Sequence, residues 1–511
     1  MKDEIVRVLI NGKPVCVPRG TFVADAAHVK KPCGGHGKCG KCRVTVKGSV
    51  SPVTSTEREI LSGAEIAAGT RLACLARITG ECEIITFSAD GESIIVTTAG
   101  TDVEELHPVF SELGIAVDIG TTTVAARLYD KKGNILSEAT ALNSQSEFGT
   151  DVISRIEAAL GGKDGELASS VRKTLDGMIA KLCLKAGASP GHIDGAVITG
   201  NTVMLYLLTG QSVEPFSHAP FRAPVLFGET VFASSLSLTT LRPETRIYLP
   251  SCISAFVGAD ITCSILSSGI CDGGAAMLAD IGTNGELALY NGGMLTVCST
   301  AAGPAFEGVG ISMGMQGSEG AIDRVIITQN GTFDAHVIGG GEPRGICGSG
   351  LIDAAACMMK TGILEEDGYL EGSFVISGGV ALTPRDIRML QLAKSAIYGG
   401  IMTLLDSGKI APGDVEKFYI AGGFGYYLSA DNAASIGLFP RALAACSSAV
   451  GNAALGGASM ILLDSRNIEK CRRIAESAGV CELSANPVFE KYFASGMMFG
   501  GCDGCISDHT C

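Results

Sequence analysis

The sequence predicts two units in series: a small α+β module over residues 1–90 and a larger α/β body built as a duplication, 113–275 and 276–495. Three observations carry this. A β-rich opening encloses a Cys-x5-Cys-x2-Cys loop. Two strand–Asp–Gly–hydroxyl–strand segments recur 162 residues apart, at Asp118 and Asp280. Apolar residues make up 46% and charged residues 18% of the chain, a balance of compact domains rather than of disordered chain. The glycines gather in short turns such as Gly339-Gly340-Gly341, with no every-third repeat, which excludes a fibre.

Net charge is −14 and unevenly spread. Residues 1–95 hold 13 Lys/Arg against 10 Asp/Glu, or +3, which leaves −17 on the remainder. The larger body therefore lacks the basic footprint of a nucleic-acid binder. The opening Met-Lys-Asp-Glu-Ile-Val-Arg has no apolar signal region, and no stretch reaches the ~18 uncharged apolar residues of a membrane span. With no secretion signal expected, the 19 cysteines point to metal ligation and buried thiols rather than disulfides, and to a cytoplasmic setting.

In the first module, Ile5–Ile10 and Lys13–Val17 flank Asn11-Gly12, a strong hairpin signal because both turn residues need positive φ. Then come Cys33, Cys39 and Cys42 in a loop with Gly34, Gly35, Gly37 and Gly40, a strand from Arg43, and Cys74 far downstream. Three thiolates wrap a small cluster only where the backbone bends tightly and aims N–H groups at sulfur. A distant fourth cysteine closes the cage. The pattern fits a 2Fe–2S cluster, and its first gap resembles that of adrenodoxin-like ferredoxins, which implies a β-grasp fold. Four cysteines also suit Zn²⁺. Cys82 is a rival fourth ligand, Cys16 reads as a buried strand thiol, and His36, a single histidine, is too few for a Rieske centre.

Residues 91–112 read as a linker. The two repeats then align without a gap: Asp118-Ile-Gly120-Thr121-Thr122-Thr123 and Asp280-Ile-Gly282-Thr283-Asn284. Each is a hairpin whose tip offers N–H groups and hydroxyls to phosphate, with an aspartate at the strand end to hold Mg²⁺ directly or through water. Gly422-Gly423 follow a third strand, where bare backbone admits adenosine. These elements resemble the phosphate-1, phosphate-2 and adenosine motifs of the acetate kinase/sugar kinase/Hsp70/actin (ASKHA) superfamily, in that order. Glu286 is either the general base of ATP hydrolysis or a paired strand carboxylate.

A ferredoxin module fused to this ATPase resembles the reductive activators of corrinoid-dependent enzymes. Further stretches are similar to that family: Ile198-Thr-Gly-Asn201-Thr202, Pro250 to Asp260, Ala302-Gly-Pro304-Ala-Phe-Glu307-Gly and Gly345 to Asp353. The resemblance implies an ATP-driven return of Co(II) corrinoid protein to Co(I), an upstream low-potential electron donor, a methyltransferase system as client and a homodimer. It implies that ATP favours one of two domain arrangements while Asp118 and Asp280 organise Mg²⁺ and water. Activators of 2-hydroxyacyl-CoA dehydratases share the ATPase half but not residues 33–74. A small-molecule kinase with a redox sensor is a third alternative. Two departures stand out. Members of the family often carry an additional domain where this chain has only the linker. The segment 496–511 ends in Cys502, Cys505 and Cys511, a candidate second metal or cluster site.

Overall fold

The computed structural model describes residues 5–10, 13–27, 29, 42–61, 66, 69–86, 106–328, 330–422 and 428–500. Cys33, His36, Cys39, Gly423, Cys502, Cys505 and Cys511 lie outside the described residues, as do the Asn11-Gly12 turn and most of the linker.

The N-terminal module is a five-stranded sheet of β1 (Ile5–Ile10), β2 (Lys13–Pro18), β3 (Arg43–Val50), β4 (Thr70–Leu72) and β5 (Ile78–Thr86), in the order β2-β1-β5-β3-β4. β1 and β2 pair antiparallel with Ile10 opposite Lys13, which brackets the Asn-Gly dipeptide. Val6 and Val8 point inward and join Val44, Leu72, Ile78 and Ile84 in one core.

The first half of the large body has β6 (Leu113–Ile119), β7 (Thr123–Asp130), β8 (Ile135–Leu142), β9 (Ile193–Gly200), β10 (Glu229–Phe232) and β11 (Arg246–Leu249), ordered β10-β11-β9-β6-β7-β8. The second has β12 (Ala276–Ile281), β13 (Gly285–Asn291) and β14 (Met294–Thr300). After an insertion come β20 (Lys417–Ala421), β21 (Ser447–Gly451) and β22 (Gly479–Val480), giving the order β21-β20-β12-β13-β14-β22. The insertion holds a three-stranded sheet of β15 (Ala321–Ile327), β16 (Phe333–Val337) and β17 (Gly345–Ile346), and a β18 (Phe374–Ser377)–β19 (Val380–Leu382) hairpin.

The halves share one topology. β6 pairs antiparallel with β7 and parallel with β9, and β12 does the same with β13 and β20. β6 and β12 are apolar on both faces, because helices cover both sides of each sheet. The helices after β11 and β21 are exchanged. Ala259–Ser268, from the first half, places Ile261 and Ile265 against Leu278 and Ala288 of the second sheet. Ala453–Leu463, from the second half, places Leu455, Ala458 and Leu462 against Ala116 and Val197 of the first. No helix among the described residues is long and apolar enough to cross a membrane.

Candidate functional site

The two hairpins meet at their tips. Gly120 N–H donates to the Thr123 carbonyl and Gly282 N–H to the Asn284 carbonyl, both at 3.0 Å, which closes the two equivalent turns. A side chain at Gly120 would sit 2.6 Å from the Thr123 carbonyl oxygen, so this turn needs glycine. Thr122 Oγ1 lies 3.0 Å from Thr283 Oγ1, and both hydroxyls donate at 2.6 Å to Glu307 Oε2. Between the halves lies a cleft of about 680 Å³, lined by Asp118, Gly120, Thr121, Thr122, Thr123, Asp280, Gly282, Thr283, Asn284, Glu286 and Gly422. That volume is in the range of small-molecule sites. The structure thus gathers every described residue expected at the nucleotide.

The first hairpin is braced from behind. Arg155, fully buried on the Val152–Ala158 helix, donates to the Thr121 carbonyl at 2.5 Å and to the Gly149 carbonyl at 3.0 Å. Asn143 Nδ2 donates to the Gly120 carbonyl at 2.9 Å, and Asn201 Nδ2 to Thr121 Oγ1 at 3.3 Å. The strand-end aspartates are held across the cleft by the exchanged helices. Asn452, which caps Ala453–Leu463, donates to Asp118 Oδ2 at 2.9 Å, and Ser264 of Ala259–Ser268 donates to Asp280 Oδ2 at 3.0 Å.

Four acids crowd the cleft floor. Burial, then repulsion from Asp280, pushes the Asp118 carboxyl up to about 7, although Asn452 opposes this. Burial with Asp118 and Asp280 nearby raises Asp260 to about 8. Burial raises Asp280 to about 6. Glu286 faces Asp280 across the β12–β13 pair, and burial with the charges of Asp260 and Asp280 lifts it well above the ordinary glutamate range. Such crowding invites a cation. Among the described residues no three His, Cys, Asp or Glu side chains converge as a ready metal site. Carboxylate oxygens are the kind of donor that Mg²⁺ takes, one or two at a time beside water. Gly422 lines the same floor. Its φ is +100°, and a side chain there would sit 2.4 Å from the Ile281 carbonyl oxygen.

In the N-terminal module Cys42 and Cys74 converge, Sγ to Sγ 3.1 Å, both buried. The hydrogen bond between the two thiols, against the opposing cost of burial, lowers the Cys42 thiol to about 6. Two converging buried thiols fit half of a cluster's ligand set. Cys82 sits in β5 opposite Gly48, and its thiol is raised by burial. Glu57, fully buried, anchors the segment that carries Cys74. It caps the Ser55–Ile60 helix, accepts from Arg71 Nε and Nη2 at 2.9 Å, and accepts from Leu72 N–H at 3.0 Å.

Asp260, Glu307, Asn452, Asn143 and Arg155 carry no role in the sequence reading. Asp260 and Glu307 stand in two family-like stretches and were open to assignment. Asn452 is an N-cap asparagine before an apolar run, a recognisable helix start. A lone arginine such as Arg155 gives no signal.

Residues 8–79 match the 2Fe-2S iron-sulfur cluster binding domain, 113–272 the RACo middle region, and 274–504 the C-terminal, ASKHA domain of RACo. The corrinoid activation enzyme RamQ of Eubacterium limosum is 33% identical over 429 residues, 78% of this chain and 71% of that one. The chain belongs to the family of reductive activators of corrinoid proteins. A Co(II) methylated amine-specific corrinoid protein reductase of Methanosarcina barkeri is 26% identical over 358 residues, 64% of this chain and 66% of that protein. A solved reductive activator for corrinoid, iron-sulfur protein superposes with a TM-score of 0.74 at 28% identity, over 98% of this chain and 99% of the other. Membership in this activator family brings a 2Fe–2S cluster to the N-terminal module and ATP to the ASKHA cleft. The family's middle region falls on residues 113–272, the first ATPase half, so the region expected to be missing between the ferredoxin module and the ATPase is present.

Proposed function

We propose that this chain uses ATP to return an inactive corrinoid protein to service, delivering one electron to Co(II) and producing Co(I). The meeting of Thr122, Thr283 and Glu307 at one point between two exchanged halves carries the proposal. A ligand entering there contacts both halves at once, and so biases their arrangement. The corrinoid cobalt is the substrate, and its electron originates in an upstream low-potential donor. A 2Fe–2S cluster supplies a one-electron relay when bound. Cys42 and Cys74 hold it, with Cys33 and Cys39 as the remaining ligands. Plant-type clusters sit near roughly −400 mV, and each further 100 mV uphill costs an electron about 2.3 kcal/mol, which gives ATP its work.

In the cleft Thr121, Thr122, Thr123, Thr283 and Asn284 hold phosphate oxygens, Asp118 and Asp280 position Mg²⁺ and its waters, and Gly422 with Gly423 admits adenosine. Glu286, raised by burial and then by its acidic neighbours, is the candidate to take the proton of the attacking water; a bound Mg²⁺ would relieve the repulsion among these acids. A methyltransferase system as client, a homodimer and a cytoplasmic setting complete the reading. The domain limits 1–90, 91–112, 113–275, 276–495 and 496–511 belong to it, as does a second metal site at Cys502, Cys505 and Cys511.

The test mixes the anaerobically purified protein with a Co(II) corrinoid methyl carrier and a low-potential reductant, and follows Co(I) absorbance with and without Mg-ATP. Co(I) forming only with ATP, and lost in Cys42→Ser and in Asp118→Ala, supports the proposal. Equal reduction without ATP would end it.

A further inference from the structure

Glu307 sits at the tips of both hairpins, where the nucleotide reading of the cleft would put a terminal phosphate. Its Oε2 takes the hydroxyl protons of Thr122 and Thr283, one from each half, at 2.6 Å each. Those hydroxyls are the donors that the two hairpins offer to phosphate. Two donors suited to a phosphate are thus serving a carboxylate of this chain. We infer that Glu307 is the specificity residue of the cleft: an internal anion that competes with the terminal phosphate for the Thr122 and Thr283 hydroxyls, so that a nucleoside triphosphate displaces it and a shorter nucleotide does not. This rests on the nucleotide reading of the cleft.

The chemistry sets the direction of the competition. A carboxylate has one net charge and two oxygens. A terminal phosphate brings more charge and three oxygens to the same donors. A diphosphate that ends short of the hairpin tips leaves the Glu307 contact intact. Glu307 ends the short Pro304–Glu307 turn, and Gly303 and Gly308 on either side have φ of 77° and 82°, backbone that glycine adopts without strain. Beyond it, a side chain on Gly308 would lie 2.5 Å from Met315 N, and one on Gly314 would lie 2.0 Å from the Gly308 carbonyl oxygen. The turn is packed backbone to backbone against the strap 309–315, whose Val309 is exposed. Release of Glu307 therefore reaches the surface through this strap.

The test measures ATP, ADP and AMP affinity by calorimetry on the full chain, as wild type, Glu307→Gln and Glu307→Ala. Removing the competitor tightens ATP by about tenfold, the scale of one charge-assisted hydrogen bond, and leaves AMP unchanged. Glutamine keeps the size of the side chain and falls between. Hydrogen exchange of 308–315 quickens with ATP in the wild type and is already fast in Glu307→Ala without it. ATP binding that is unchanged or weakened in both variants, with melting temperatures preserved, overturns the inference. If alanine prevents folding, the glutamine variant decides alone. A wild type that binds no nucleotide overturns the reading of the cleft itself, and this inference with it.

Discussion

Asp118 is charged at a cost that its neighbours set, and the cost can be measured by removing the charge. Its carboxyl is raised from 3.8 to about 7, first by burial and then by Asp280. The difference is about 3 pK units, or about 4 kcal/mol at ~1.36 kcal/mol per unit. Water entering the cleft screens part of this, so about 2–4 kcal/mol is the working range. The folded-state value is raised, so the associated stability is fully present below pH 3.8 and is lost as pH climbs through about 7. Asp118→Asn is neutral throughout and escapes that loss. Its side chain can turn its oxygen to Asn452 Nδ2, which keeps the 2.9 Å bond. The advantage of the variant over the wild type should grow from almost nothing near pH 4 to about 2–4 kcal/mol at pH 8, in chelator and without nucleotide. The chain has no tryptophan, so circular dichroism during urea unfolding is the assay. With Mg-ATP the ranking should invert, because the wild type keeps both carboxylates that position the cation and the variant keeps only Asp280. A variant equally destabilised at both pH values would show that Asp118 serves as a structural acceptor and bears no repulsion, refuting the reasoning.

Cys74→Ser should abolish the visible absorbance and iron content of the N-terminal module, while Cys82→Ser should retain both; the reverse result would exchange the two ligand assignments. Glu57→Gln leaves Arg71 buried and without its carboxylate, at a cost of about 3–5 kcal/mol. It should lower the melting temperature of the N-terminal module and loosen iron binding, while leaving ATP affinity unchanged.

The two sheets and the two hairpins were legible because strand, aspartate, glycine and hydroxyl are contiguous. One pass along the chain sees both copies and their order. Convergence between distant segments was not legible. Asn452 reaches Asp118 from a helix belonging to the other half, and no local pattern announces that exchange. The same holds for Arg155, whose only mark is burial beneath Thr121. Spacing favours Cys74 over Cys82 as the fourth ligand only weakly, because both lie in or near strands. The direction in which each side chain points separates them, and register sets that direction.

The exchanged helices explain why the two halves act as one site, and a single glycine shows how tightly that is set. Ala453–Leu463 crosses Ala259–Ser268 at Gly457, where a side-chain carbon would lie 2.1 Å from the Cys263 carbonyl oxygen and 2.6 Å from its Cα. Both neighbours are backbone, so no side chain can yield and the helices must part. Overpacking of this kind costs about 1–3 kcal/mol or more, against a helix-propensity gain of about 1 kcal/mol. Gly457→Ala should therefore destabilise the body. It should also weaken ATP, because Asn452 and Ser264, which steady the two aspartates, ride on the separated helices. Gly177 offers the matched control. It lies within the Asp164–Ala186 helix with nothing within 4 Å of its would-be side chain, so Gly177→Ala should raise stability by about 0.5–1 kcal/mol. Equal responses from the two substitutions, read by thermal melting and ATP titration, would mean that the helix crossing does not couple the halves.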